Sequence, residues 1–381
     1  MTGCLQIKNG MYYIVLSVWE NGKRKRPWIS TGLPAKGNKR KAEQLLREKI
    51  CEYELKTGKG DANTLLADYI RYWLTIVQRK VDEVTYQGYE SLARVHILPY
   101  FDNLGTKLQE TSLPILQTYI DEKQENGRKD GKGGLSARSL RLHKNILHQS
   151  LDEAVKSGLL PSNPCQFLIL PKTERHEANY YTAQQLQQLF DALRDEPLYP
   201  LVKITTLYGL RRSELLGLKW DSIDFDAGTL TIRHTVSKVT KVVEKDKTKN
   251  ASSYRSFPLL PEARQIFQAA KFAETQNRRL FGKEYHENEY VFKWPDGRPY
   301  SPDYVTDKFS ALLKKNELPH IRFHELRHSC ASLLINNDFS LKDVQEWMGH
   351  ADIKMTANIY GHLDVSRKQN MANRLASALS V

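Results

Sequence analysis

Cysteine is scarce in this chain. The four cysteines, at positions 4, 51, 165 and 330, are scattered without a CxxC pair, so neither a disulfide framework nor a cysteine zinc cluster is indicated. Long apolar runs are missing as well. The best stretch, MYYIVLSVW at 11–19, falls well short of the roughly 18 residues that span a bilayer. The first residues lack a basic region leading into an apolar segment and a small-residue cleavage site, which predicts a cytoplasmic protein with no membrane partner. The remaining shortage is of negative charge: 44 Asp and Glu stand against 57 Lys and Arg, a net charge of +13 and a pI near 9.3. A polyanionic partner follows from that excess, and without a membrane segment nucleic acid fits best.

The excess is not spread evenly. Residues 1–60 carry 13 Lys and Arg against 5 Asp and Glu, whereas residues 61–170 carry 13 of each and balance. With 381 residues, 40% of them hydrophobic and 10% aromatic, the chain has material for two or three domains with buried cores and no resemblance in composition to a disordered protein.

Chemistry concentrates between residues 324 and 360. In HELRHSCASLLI, Leu326, Cys330, Leu333 and Leu334 have helical spacing, which brings His324, Arg327 and His328 into one neighbourhood as residues i, i+3 and i+4. SLKDVQEWMGH then reads as a helix capped by Ser340 with Asp343 three residues on, and stopped by Gly349, which leaves His350 at a turn. Tyr360 follows ten residues later. A phenol with a pKa of about 10 is a poor nucleophile at neutral pH unless a base or nearby cations favour its phenolate. Arginine and histidine supply both kinds of help, and a planar guanidinium matches the non-bridging oxygens of a phosphodiester under attack. A second arginine is therefore expected upstream, and TTLYGLRRSELLGLKW provides Arg211, with Glu214 three residues on to brace it.

GLRRSELLGL, HELRH and MGHADIKMTANIYGHL, in this order and spacing, closely resemble the boxes of the tyrosine recombinases, the phage-integrase family. The resemblance implies a DNA strand-cleaving and rejoining enzyme that integrates and excises a mobile genetic element through a 3′-phosphotyrosine link. It implies that Tyr360 attacks the scissile phosphate, that Arg211 and Arg327 clamp its non-bridging oxygens, and that His324 is general base or phosphate donor. His350 would hydrogen-bond the phosphate or orient the tyrosine. KDKTKNASSYRSFPL looks like the family's hairpin, whose lysine protonates the leaving 5′ oxygen. In the family pattern a lysine sits six residues before the arginine of an SxR pattern, and the resemblance so favours Lys249 over Lys247, with the alternative that both are solvated hairpin charges. No cofactor is implied. The implied partners are double-stranded DNA at core-type and arm-type sites, further copies of the chain in a tetramer, and an excision accessory protein that no residue here identifies.

The same resemblance organises the rest as a multidomain chain, mainly α with small β-sheets. Residues 1–58 read as a three-stranded sheet plus helix: Tyr12, Ile14, Leu16 and Val18 share one strand face, residues 20–22 make a hairpin turn, and Ala42, Leu45, Leu46, Ile50 and Tyr53 line one helix stripe. This module resembles an arm-type DNA-binding domain, with Lys23, Arg24, Lys25, Arg26 and Trp28 as the candidate contacts; the plainer reading is a charge run that solubilises a turn. Residues 62–170 show four helical patterns, the clearest stripe being Leu66, Tyr69, Ile70, Trp73 and Leu74, and resemble the helical core-binding domain. Residues 176–381 would be the α+β catalytic domain, ending in a thin apolar stripe at Met371, Leu375 and Leu379 that needs a partner surface, in its own domain or a neighbour's.

HELRH also satisfies HExxH, in which His324 and His328 would bind zinc and Glu325 would be the general base of a peptidase. A fixed cation at Arg327 opposes metal binding there, and that reading leaves Arg211, Tyr360 and the basic amino terminus without a role. A DNA-binding protein that has lost catalysis would show gaps in the constellation, and a type IB topoisomerase would lack the three-part layout. His143, His148, His234 and His286 stand alone and read as core or surface residues.

Overall fold

The computed structural model describes residues 2–20, 23–56, 63–172, 179–238, 242–245, 254–353, 372–373 and 376–377. The chain divides into two units, residues 1–175 and 176–381.

The first unit opens with a sheet. Strand β1 (Thr2–Lys8) pairs antiparallel with β2 (Met11–Glu20), joined by Asn9 and Gly10, both at positive φ (49° and 74°), the twist that a two-residue hairpin needs. Strands β3 (Lys23–Lys25) and β4 (Trp28–Pro34) both pair with β2. The expected three-stranded sheet is thus four-stranded. Its first strand gives little periodic signal because Cys4, Gln6, Ile7 and Lys8 are all exposed and Leu5 joins the core only partly. The Asn-Gly pair was the available cue. Ile14, Leu16 and Val18 are buried against Leu45, Leu46, Ile50 and Tyr53 of α1 (Lys39–Lys56), as the stripe predicts. The run TGKGDAN at 57–63, whose glycines suit a linker, lies, except for Asn63, outside the described residues.

Five helices follow: α2 (Leu66–Val77), α3 (Glu83–Leu92), α4 (Leu98–Leu104), α5 (Leu113–Asn126) and α6 (Ala137–Lys156). The second of the four helical patterns comprises α3, a π turn at Ala93–Ile97 and α4. Pro99 sits in the first turn of α4, where it cannot donate to the preceding turn, and the ladder changes register just before it. Leu66, Tyr69, Ile70, Trp73 and Leu74 are all buried, as the stripe predicts. Arg71 of α2 ties the sheet's helix to this bundle, with its Nε 3.2 Å from Glu48 of α1 and a further ion pair to Asp68 at 2.8 Å.

The second unit carries the candidate chemistry. Helices α7 (Ala183–Leu193), α8 (Tyr199–Tyr208) and α9 (Arg212–Leu216) lead into β5 (Ile223–Asp224) and β6 (Thr229–Ile232). The run GTLTIRHTV forms parts of two strands, with a break at Arg233–His234 before β7 (Thr235–Lys238). The backbone there passes so close to Gly217 that a Cβ would lie 2.5 Å from the His234 carbonyl oxygen. Strand β8 (Val242–Lys245) pairs with β7, and β9 (Arg255–Pro258) pairs with β6. Helices α10 (Pro261–Phe281), α11 (Pro302–Lys315), α12 (Glu325–Asn336) and α13 (Leu341–Met348) follow, and residues 372–373 and 376–377 are helical. No helix among the described residues is long and apolar enough to cross a membrane.

Candidate active site

Helix α13 is the frame of the site. Ser340 and Asp343 close the expected capping box, and Gly349 in the left-handed conformation ends the helix, leaving its last carbonyls without intrahelical donors and with partial negative charge. Val344 and Met348 anchor it against Cys330, Ala331 and Ile335 of α12. Three successive carbonyls at its end then receive three different arginines. Arg255 Nε donates to Trp347 O at 3.1 Å, Arg327 Nη2 donates to Met348 O, and Arg211 Nη2 donates to Gly349 O at 3.1 Å.

Each arginine arrives from its own element. Arg211 is the N-cap of α9, and Glu214 bonds both its backbone N–H (2.9 Å) and its Nη1 (2.6 Å), as the i+3 spacing predicts. Arg327, on the first turn of α12, is 2% exposed and also donates to Gly209 O at 2.5 Å. Gly209 is the left-handed C-cap of α8, with φ 61°. A Cβ there would meet Met348 Sδ at 2.6 Å, so glycine is required both for the turn and for the close approach of α13. Arg255 enters from β9, opposite Ile232, and bonds both Glu214 oxygens at 3.3 and 3.0 Å.

Glu214 holds these charges together. Burial alone would raise its carboxyl, but the charge and hydrogen bonds of Arg255, then the charges of Arg211 and Arg327, hold it at about 2, so it is ionised under all ordinary conditions. Burial, reinforced by the Arg211 charge, pulls Arg327 down to about 9, still protonated at neutral pH. Of its five N–H donors Arg211 commits two, to Glu214 and Gly349, and its side chain is 30% exposed. Its remaining donors suit an incoming oxyanion.

The histidines surround this cluster in their neutral forms. Desolvation, then His328 and the charges of Arg327, Arg211 and Arg322, bring His324 down to about 4. His350 is 7% exposed and is brought down to about 3 by burial, then by Arg327 and Arg211. Its turn is closed by Gln345, whose carbonyl accepts from the His350 N–H and whose amide donates to His350 O, both at 3.1 Å. His328 is lowered too, by burial and Arg327. A neutral imidazole can accept a proton or donate a hydrogen bond as its tautomer dictates.

The structure therefore brings together Arg211, His324, Arg327 and His350. Lys249 and Tyr360 lie outside the described residues. Arg255 enters the sequence argument only as a landmark for spacing, and its place in an SxR pattern at the start of a strand is the signal that marks it. The carbonyls of 347–349 leave no signal in side-chain identity at all. In the amino-terminal module, Trp28 is 52% exposed, lies 6.0 Å from the Tyr13 ring and has Lys8 Nζ 5.9 Å above it. Arg24 donates to Ser17 Oγ at 2.7 Å, and Lys25 and Arg26 are exposed. Lys23 is on β3 with its side chain outside the described set.

The zinc-peptidase reading is overturned. Glu325 is 2% exposed, and its carboxylate accepts from the Arg322 backbone (2.6 Å), Nε (3.1 Å) and Nη2 (2.7 Å). Those bonds commit it to bracing the start of α12 rather than to activating water.

Comparison with known proteins agrees with that outcome. Residues 179–367 match the model of the phage integrase family, and residues 65–124 match the phage integrase N-terminal SAM-like domain. A tyrosine recombinase XerC of Serratia marcescens is 30% identical over 249 residues, covering 64% of this chain and 73% of that protein. A XerC-like tyrosine recombinase of Caldanaerobacter subterraneus subsp. tengcongensis is 26% identical, with 97% of each chain covered. The ICEBs1 integrase of Bacillus subtilis is 23% identical, with 98% of this chain and 99% of that one covered. Among solved structures, the Tn1549 transposon integrase in complex with a circular intermediate DNA superposes with TM-score 0.66 at 22% identity, over 82% of this chain and 99% of that one. A lambda integrase tetramer bound to a Holliday junction gives 0.60 at 18%, over 93% and 94%.

Proposed function

The chain belongs to the phage integrase family and is a tyrosine-type DNA recombinase, and from that premise we propose that it integrates and excises a mobile genetic element through Tyr360. The ICEBs1 integrase and the Tn1549 integrase, one similar over nearly its whole length and the other over its DNA-bound fold, support the mobile-element assignment. The lambda integrase tetramer on a Holliday junction supports a tetramer working on paired duplexes. Residues 1–58, 62–170 and 176–381 would then be the arm-binding, core-binding and catalytic domains, in a protein that acts in the cytoplasm.

In this reading the Tyr360 oxygen attacks the scissile phosphorus, an oxygen–phosphorus bond forms to the 3′ side, and the bond to the 5′ oxygen breaks. His324, neutral in the free site, takes the phenol's proton as general base or donates to the phosphate. Lys249 delivers a proton to the leaving 5′ oxygen. The 5′ hydroxyl of the partner strand later reverses the step, and because the phosphotyrosine keeps the bond energy no nucleotide is consumed. Arg211 supplies exposed donors to the non-bridging oxygens, Arg327 adds its charge from the floor of the site, and His350 donates to the phosphate or orients the tyrosine. The observation that carries the reading is the gathering of Arg211, Arg327 and two neutral histidines at the end of α13.

Nicked duplexes carrying the ends of the element that encodes the protein, incubated with it in EDTA, should give a denaturation-resistant protein–DNA adduct. Tyr360→Phe should give none while binding the same DNA with nearly unchanged affinity. An adduct that persists in this variant would remove Tyr360 as the nucleophile.

A further inference from the structure

We propose that Arg255 is a positioning residue for recombination, one that sets the orientation of Arg211 at the scissile phosphate by holding Glu214 and the end of α13 in a fixed relation. The inference rests on the phosphate-clamp reading of Arg211 given above.

The argument begins with Glu214. A single carboxylate must orient Arg211, whose own bonds to it are one backbone N–H and one Nη1. A carboxylate held from one side alone can rotate about its last torsion, and the guanidinium it holds would follow. Arg255 removes that freedom by taking both Glu214 oxygens from the opposite direction. It is itself fixed by the β6–β9 ladder, by the Phe257 ring 5.3 Å away and by Trp347 O. Trp347 in turn packs edge-on to Phe257 at 4.9 Å. Arg255 thus spans the two supports of Arg211, because Glu214 takes its Nη1 and Gly349, two residues beyond Trp347, takes its Nη2.

Its burial separates this role from direct contact. The Arg255 side chain is 8% exposed while that of Arg211 is 30% exposed, and the three bonds to Glu214 and Trp347 point its donors into the protein. A phosphate meets Arg211, and Arg255 acts only through it.

The test uses the full chain and two nicked duplexes of the same element ends, one with a normal scissile phosphodiester and one with a methylphosphonate there. The methyl group removes the phosphate's negative charge, so catalysis no longer depends on a well-placed cation. Arg255→Gln should slow adduct formation on the phosphodiester about 100-fold, the loss typical of a misplaced charge-stabilising donor. On the methylphosphonate the loss should shrink to within about threefold, since an interaction absent from a transition state cannot be missed there. DNA affinity should stay unchanged, and Arg255→Lys, which keeps the charge and one hydrogen bond to Glu214, should lie between. Equal losses on both substrates would mean a generally damaged fold and overturn the proposal, as would no loss on either. Should Arg255→Gln fail to bind DNA, the ratio of the two losses in Arg255→Lys decides in the same way. Arg211→Ala is the control. A defect there that the methyl group leaves untouched would remove the clamp reading of Arg211 itself, and with it the route assigned to Arg255.

Discussion

Glu214 and Glu325 show how position decides what a carboxylate does. Both are ionised, buried and three residues from an arginine, yet one binds two guanidinium groups and the other braces a helix start. At the same scale, His143 is a buried titrating group with no part in catalysis. It is 1% exposed, its Nδ1 is 2.7 Å from the Tyr119 hydroxyl, and burial brings it down to about 3. Its folded value lies below the ordinary 6.5, so between the two the unfolded chain binds a proton that the folded chain does not. Stability from this residue is therefore full above about pH 6.5 and falls by about 1.4 kcal/mol per pH unit on acidification through that window. Urea unfolding followed by circular dichroism at a series of pH values should show the slope, and His143→Gln, which keeps an acceptor for Tyr119, should flatten it. A mutant with an unchanged slope would mean that other groups govern acid stability.

Among the elements, the meeting of α8, α12 and α13 is the tightest constraint on the site. Gly209 has φ 61°, offers its carbonyl to Arg327 and leaves no room for a Cβ beside Met348. Gly209→Ala should therefore cost about 1–3 kcal/mol through backbone strain and the forced shift of α13. Adduct formation should fall with it, because α13 carries the acceptors for all three arginines. Thermal unfolding together with the cleavage assay checks both, and a variant of unchanged stability and activity would show that α13 can move without consequence. Helix boundaries of this kind were readable in advance. The Ser340–Asp343 box, the Gly349 stop, the i+3 brace at Glu214 and the bundle stripe from Leu66 to Leu74 all follow from local periodicity and capping. Strand β1 was not readable, because a mostly exposed edge strand has no alternation to display.

Over the whole molecule, the first sixty residues carry a net charge of +8, from 13 Lys and Arg against 5 Asp and Glu, and affinity for DNA should reflect that. If the basic run at the β2–β3 hairpin neutralises phosphates, replacing Arg24, Lys25 and Arg26 together by alanine should lower the slope of log affinity against log salt. The expected decrease is up to about 0.9 for each phosphate no longer neutralised. A titration of binding against salt on arm-type DNA would reveal it. An unchanged slope would leave those charges as a solvated turn and the exposed Trp28 without its proposed partner.

By itself, the sequence determined the reaction class, the helices that carry the boxes, the brace on Arg211 and the basic amino-terminal module. Each of these depends on residue type and short spacing, which local capping, periodicity and charge reveal directly. Only the tertiary structure decided that the arginines of three distant segments share one helix end, two of them also bonding one carboxylate. Those bonds run from side chains to main-chain carbonyls at 209 and 347–349, and a carbonyl is common to every residue, so no sequence pattern marks it.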